Sequence, residues 1–94
     1  MEHWRGIGKV IEECGEVLQL LGKAIPFPTG DHPDGQGEVR SRLEAEIADL
    51  YAAMDYFIET NHLDPEVIDG RYVQKLEQFR AWGLTGIAAK QGGA

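Results

Sequence analysis

The segment PFPTGDHPDGQG, residues 26–37, constrains this chain more than any other. It carries three prolines and three glycines, so neither a helix nor a regular strand runs through it. On either side lies a long stretch with apolar residues at three- and four-residue spacing. Before the segment, Trp4, Ile7, Val10, Ile11, Val17, Leu18, Leu21 and Ile25 predict an amphipathic helix from about His3 to Ile25. After it, Val39, Leu43, Ile47, Leu50, Met54, Phe57 and Ile58 predict a second from about Glu38 to Asn61. Joined by that loop, the two fold back as an antiparallel hairpin.

A third helix follows. LDPE supplies its start, with Asp64 as N-cap, Pro65 in the first helical position and Glu66 in the first turn. Val67, Ile68, Tyr72, Leu76, Phe79 and Trp82 give its stripe, and Gly83 is its expected end. Nothing reads as a strand. The expected fold is all-α: a helical hairpin plus a third helix, one domain over residues 1–83, with a Gly-rich tail over 84–94 that frays or docks on a partner.

At 94 residues a lone core is marginal, because a chain of this size buries only about 60–65% of its unfolded surface. The second helix is apolar on nearly all sides, with Ala45, Ala48, Ala52 and Ala53 covering the side away from the main stripe. Three helices leave it uncovered. A homodimer or homotetramer pooling helices into a four-helix-type bundle is the expected remedy.

A net charge of −7 argues against wrapping a nucleic-acid polymer, which needs a basic face. No apolar run approaches the ~20 residues that span a bilayer, and the start MEHWRGIGK lacks the apolar core of a signal peptide. The single cysteine, Cys14, allows no internal disulfide, so a cytoplasmic setting is expected. Cys14 falls on the apolar stripe and reads as a packed thiol. Gly15 within the first helix costs about 1 kcal/mol relative to alanine, which a close helix crossing would explain.

The chemistry lies in the acids. EECGEV holds Glu12, Glu13 and Glu16, and EIADL holds Glu46 and Asp49. In the hairpin, Glu13 and Glu16 lie 12 and 9 residues before Ile25, and Glu46 and Asp49 lie 8 and 11 after Glu38. Both pairs sit roughly 12–18 Å from the loop end, level with each other. Each pair is spaced i, i+3 and shares a face. Helix axes about 8–10 Å apart allow four carboxylates to converge. No lysine or arginine lies between Arg42 and Arg71 to neutralise Glu44, Glu46, Asp49, Asp55 and Glu59. Partly buried like charges require protonation or a cation, and an all-oxygen set suits Mg²⁺ or Mn²⁺ over zinc. The competing reading is a solvated acidic face, in which Lys9 pairs with Glu13 at i, i+4.

Glu13-x-x-Glu16 followed by Glu46-x-x-Asp49, within IEECGEVLQLLGKAI and LEAEIADLYAAMDYFI and ahead of RYVQKLEQFRAW, resembles the MazG-like all-α nucleoside triphosphate pyrophosphohydrolases. The likeness spans residues from about 7 to 82. It implies Mg²⁺-dependent cleavage between the α- and β-phosphates of a nucleotide, giving monophosphate and pyrophosphate, with Glu13, Glu16, Glu46 and Asp49 as metal ligands. It also implies an oligomer; with three helices and no second domain expected, the chain departs from the longer members of that family. Glu12, beside the site, is a candidate with Glu13 for orienting the attacking water. Binding of a further ion by Glu12 and a merely solvated glutamate are the alternatives.

Phosphates also need cations. Lys23 lies about two turns after Glu16, and Arg71 and Lys75 share a face of the third helix. These three are the candidate substrate-binding residues, each equally explained as a surface base. His32 and Asp34 in the loop are candidate contacts to base or sugar, and Trp4 and Tyr56 can stack on a base or pack in a core. Two rival functions remain from the sequence: a non-catalytic helical dimerisation or interaction module, and the same fold acting on phosphoribosyl-ATP.

Overall fold

The computed structural model describes residues 3–85. Within them lie three helices: α1 (Ile7–Ala24), α2 (Val39–Thr60) and α3 (Pro65–Thr85). No strand occurs among the described residues. The nearest thing to one is a single antiparallel bridge between Asp31 and Glu38, which closes the base of the connecting loop. The chain forms two compact units, one running to Leu63 and holding α1 and α2, the other beginning at Asp64 and holding α3.

α1 starts four residues later than its periodicity suggests. Gly6 precedes it in the left-handed region at φ 81°, which interrupts the helical path. A Cβ there would lie 3.1 Å from Tyr56 Cδ2, so both the backbone and the neighbouring ring require glycine. Trp4, ahead of the helix, stacks on Phe57 with ring centroids 5.8 Å apart, the packing role rather than a base-stacking one.

α1 has two apolar faces, and periodicity alone merges them. Val10, Cys14, Val17, Leu20 and Ala24 are half-buried or buried. Leu20, absent from the expected stripe, is the deepest of them at 6% exposure. Burying such a side chain contributes about 1.5–3 kcal/mol. Ile7, Ile11, Leu18, Leu21 and Ile25 form a second, exposed row. On α2, Val39 and Ala53 are buried. Ala53 therefore does not belong to an outward alanine face. It lines the groove beside α1, and so do Ala45 and Ala52. Gly15 has no close crossing among the described residues: a Cβ there meets nothing within 4 Å.

α2 ends in a reciprocal pair of turns. His62 N–H donates to Glu59 O and Leu63 N–H to Ile58 O, with His62 at φ 54° in the position usually given to glycine. In the second unit, Asp64 caps α3 as expected: its Oδ1 accepts from Glu66 N–H at 2.9 Å and Val67 N–H at 3.4 Å. The helix does not stop at Gly83 but continues to Thr85. The proposed tail beyond it, residues 86–94, lies outside the described residues. No helix among the described residues is long and apolar enough to cross a membrane.

Candidate functional site

The hairpin brings Glu13 of α1 to Glu46 and Asp49 of α2. One carboxylate oxygen from each lies within 4.8 Å of the others. Glu13 and Glu46 are half-buried and Asp49 is exposed. Glu13 Oε2 is buried and has no hydrogen-bond partner among the described residues. A buried carboxylate oxygen without a donor is costly, and a cation shared with Glu46 and Asp49 relieves that cost. Three acids with oxygen donors only, one of them orphaned, fit a hard divalent ion.

Glu16 stands beside this cluster rather than in it. It is exposed, yet near enough to Glu46 to act on it. The Glu46 carboxyl is pushed above its ordinary value by burial first, then by the negative charges of Glu16, Asp49 and Glu13. Helix geometry explains the split. Residues at i and i+3 differ by about 60° around the axis, so Glu13 faces the groove while Glu16 stands at its edge.

Glu12 is engaged elsewhere. Its carboxylate accepts from Lys9 Nζ at 2.8 Å, so the expected Lys9–Glu13 pairing is not the one formed. Side-chain exposures of 59% and 55% make this an ion pair of small energetic weight. The hydrogen bond and charge of Glu12 raise the Lys9 ammonium above its ordinary value, with smaller contributions from Glu13 and Asp49. Lys9 is thus a cation within electrostatic reach of the acids that spacing within α2 alone overlooks.

Two clefts flank the cluster. Toward the loop, Glu16, Gln19, Leu20, Lys23, Arg42, Ala45 and Glu46 enclose about 170 Å³. On the other side, Lys9, Glu13, Asp49, Ala52, Ala53 and Tyr56 line a more open hollow. The alanines make this possible, since larger side chains would fill the space next to the carboxylates.

Lys23 is held by the loop. Asp34 Oδ2 accepts from Lys23 Nζ at 2.8 Å, and the guanidinium of Arg42 meets both Asp34 oxygens at 3.2 Å. Gln36 N–H donates to Asp34 Oδ1 at 3.0 Å. Lys23 above all, then the Gln36 amide and Arg42, hold the Asp34 carboxyl well below its ordinary range. His32 Nδ1 accepts the Asp34 N–H at 3.0 Å and lies 3.2 Å from the Asp34 carboxylate. The His32 ring packs edge-on against Phe27. Both loop residues therefore have internal partners. Sequence reasoning passed over Arg42. Its signal was position: it lies seven residues before Asp49 and so on the same face of α2.

Arg71 and Lys75 lie on one face of α3, as their spacing requires. Arg71 Nη1 donates to Gln74 and Lys75 Nζ to Gln78. These two belong to the unit that begins at Asp64. Comparison with protein-family models, curated proteins and solved structures finds no match to this chain.

Proposed function

We propose that the chain is a divalent-metal-dependent nucleotide pyrophosphohydrolase, cleaving a (deoxy)nucleoside triphosphate to monophosphate and pyrophosphate. The observation that carries the reading is the convergence of Glu13, Glu46 and Asp49, with Glu13 Oε2 buried and unpartnered among the described residues. The likeness of both acidic motifs to those of MazG-like pyrophosphohydrolases supplies the substrate class.

In this reading Glu13, Glu46 and Asp49 hold Mg²⁺ or Mn²⁺, with Glu16 joining them from the groove edge. When bound, the cation supplies charge neutralisation for phosphate oxygens and acidifies water. Glu12 is engaged with Lys9 in an exposed ion pair and is not assigned the water-orienting role. Tyr56, bordering the open hollow, has a face available for a base. Lys23 lines the loop-side cleft together with Glu16 and Glu46 and is the candidate phosphate contact there.

Assembly is part of the proposal. Ile7, Ile11, Leu18 and Leu21 of α1, with Ile25 just past its end, are 44–83% exposed, an apolar row along one side of the helix. Such a row marks a surface for association, and a homodimer or homotetramer of this chain would cover it.

The test is a broad nucleotide panel, with phosphoribosyl-ATP included, scored for pyrophosphate release with Mg²⁺. Monophosphate plus pyrophosphate is the expected product pair. Release of orthophosphate and diphosphate instead would contradict the bond assignment. Absence of turnover across the panel would favour the interaction-module alternative.

A further inference from the structure

The arrangement around Asp34 resembles a bound anion more than a surface ion pair. Arg42 offers two nitrogens to the two carboxylate oxygens, and Lys23 adds a third donor. That fork-plus-ammonium geometry is the one by which proteins grip phosphate. The three side chains are only 30%, 21% and 23% exposed for Lys23, Arg42 and Asp34, against more than half for Lys9 and Glu12. Both cations also line the loop-side cleft, whose far wall is Glu16 and Glu46. Arg42 is close enough to Glu46 to counter part of its elevation. One cleft thus joins a two-cation cradle to the acidic cluster.

We propose that Lys23 and Arg42 form a subsite for the terminal phosphates of a di- or triphosphate chain, and that Asp34 occupies it as an internal stand-in until phosphate displaces it. The proposal rests on the nucleotide reading of the acidic cluster. Its physical basis is charge. Two cations face a single carboxylate charge, whereas a phosphate monoester carries about −1.5 to −2 at pH 7 and three acceptor oxygens. Asp34 keeps the Gln36 amide when it lets go, since that bond lies within the loop. The loop carries the stand-in, so phosphate entry and loop movement are one event.

The experiment is calorimetric titration with inorganic pyrophosphate at low ionic strength, with and without Mg²⁺, on the wild type and four variants. Asp34→Asn keeps the shape and removes the competing charge. It should tighten pyrophosphate binding by about fivefold or more, a gain of about 1 kcal/mol. Arg42→Gln and Lys23→Gln should each weaken it by about tenfold. Asp31→Asn, an exposed acid of the same loop, controls for the loss of one negative charge. Both readings expect Asp34→Asn to lower the melting temperature; a purely structural clasp also leaves pyrophosphate affinity equal to that of Asp31→Asn. That outcome overturns the subsite. Unchanged affinity in both Arg42→Gln and Lys23→Gln does the same, even if Asp34→Asn does not fold. Mn²⁺ binding without pyrophosphate is measured in parallel. Metal binding without tightening by Asp34→Asn removes only the subsite, while tightening without metal binding supports the subsite and removes the metal-centre reading.

Discussion

Asn61 pairs with Arg5 across 56 residues of sequence. Its Oδ1 accepts the Arg5 N–H at 2.9 Å and its Nδ2 donates to the Arg5 carbonyl at 2.8 Å, so one side-chain amide satisfies both backbone groups of a residue outside any helix. Nδ2 also donates to Phe57 O at 2.8 Å. This clasp closes the open end of the hairpin as Asp34 closes the loop end. The acidic cluster lies between the two.

Removing the open-end clasp should therefore loosen the hairpin without touching the acids. Asn61→Ala forfeits the two bonds to Arg5, each with a net value of about 0.5–1.5 kcal/mol. A loss of about 1–3 kcal/mol is expected from those two bonds, read as a lower urea midpoint at unchanged slope. Divalent-ion affinity of the folded protein should stay as it was. A variant as stable as the wild type would mean that water replaces the amide at no cost.

The acid limb of stability should have two components of opposite sign. The Glu46 carboxyl is raised above its ordinary value of 4.5 by burial and neighbouring acids. The folded state therefore binds that proton more tightly than the unfolded one, and acidification through the raised value toward 4.5 stabilises the metal-free protein. The Asp34 carboxyl is lowered from 3.8 by Lys23, Gln36 and Arg42. Its contribution is fully present above that value and is lost as pH falls further below it. Metal-free melting temperature should rise as pH falls through the raised Glu46 value toward 4.5 and fall as pH drops further below 3.8. Glu46→Gln should flatten the rise, and Asp34→Asn should soften the fall. A monotonic decline identical in all three proteins would contradict both assignments.

Helix count, loop position and the meeting of two acidic motifs were legible because each follows from local spacing. Pro26–Gly37 had to be a loop, and Asp64-Pro65 had to start a helix. Glu13, Glu46 and Asp49 could be aligned by counting rise per residue along antiparallel helices. The partners of charged side chains were not legible in the same way. Lys9 chose Glu12 over Glu13, and Asp34 reached both Lys23 and Arg42, because those choices depend on rotamers and loop path rather than on spacing. Leu20 was missed because two apolar faces on α1 blur a single stripe. The start of α1 was misread because φ at Gly6 leaves no trace in hydrophobic periodicity.

The exposed row on α1 predicts association. Leu18 is 67% exposed at its middle. Leu18→Glu places a charge where another apolar surface is expected, and an unpaired buried charge is strongly destabilising to an interface. Light scattering should find the wild type as a dimer or larger and this variant shifted toward monomer, with helical content retained. A monomeric wild type at micromolar concentration would leave the row to some other partner.

The decisive test separates a metal centre from a solvated acidic face. Asp49→Asn keeps the side-chain shape and removes one ligand charge. If Glu13, Glu46 and Asp49 hold a cation, wild-type melting temperature should rise with millimolar Mg²⁺ or Mn²⁺ but not with NaCl of equal ionic strength. A ligand at 100 times its dissociation constant stabilises by about 2.7 kcal/mol. Asp49→Asn should lose most of that shift. Without metal it should be as stable as the wild type or more so, because one of three mutually repelling carboxylates is gone. Turnover should fall by about 10²–10³-fold or more, since stabilisation of phosphate charge in the transition state is worth several kcal/mol. Glu59→Gln is the control: an exposed acid on the same helix, about 15 Å further along, whose loss should leave metal affinity and turnover near wild type. Solvated acids predict that the two substitutions behave alike. Equal metal shifts and equal activities in both variants would therefore end the metal-centre reading, whatever nucleotide is tried.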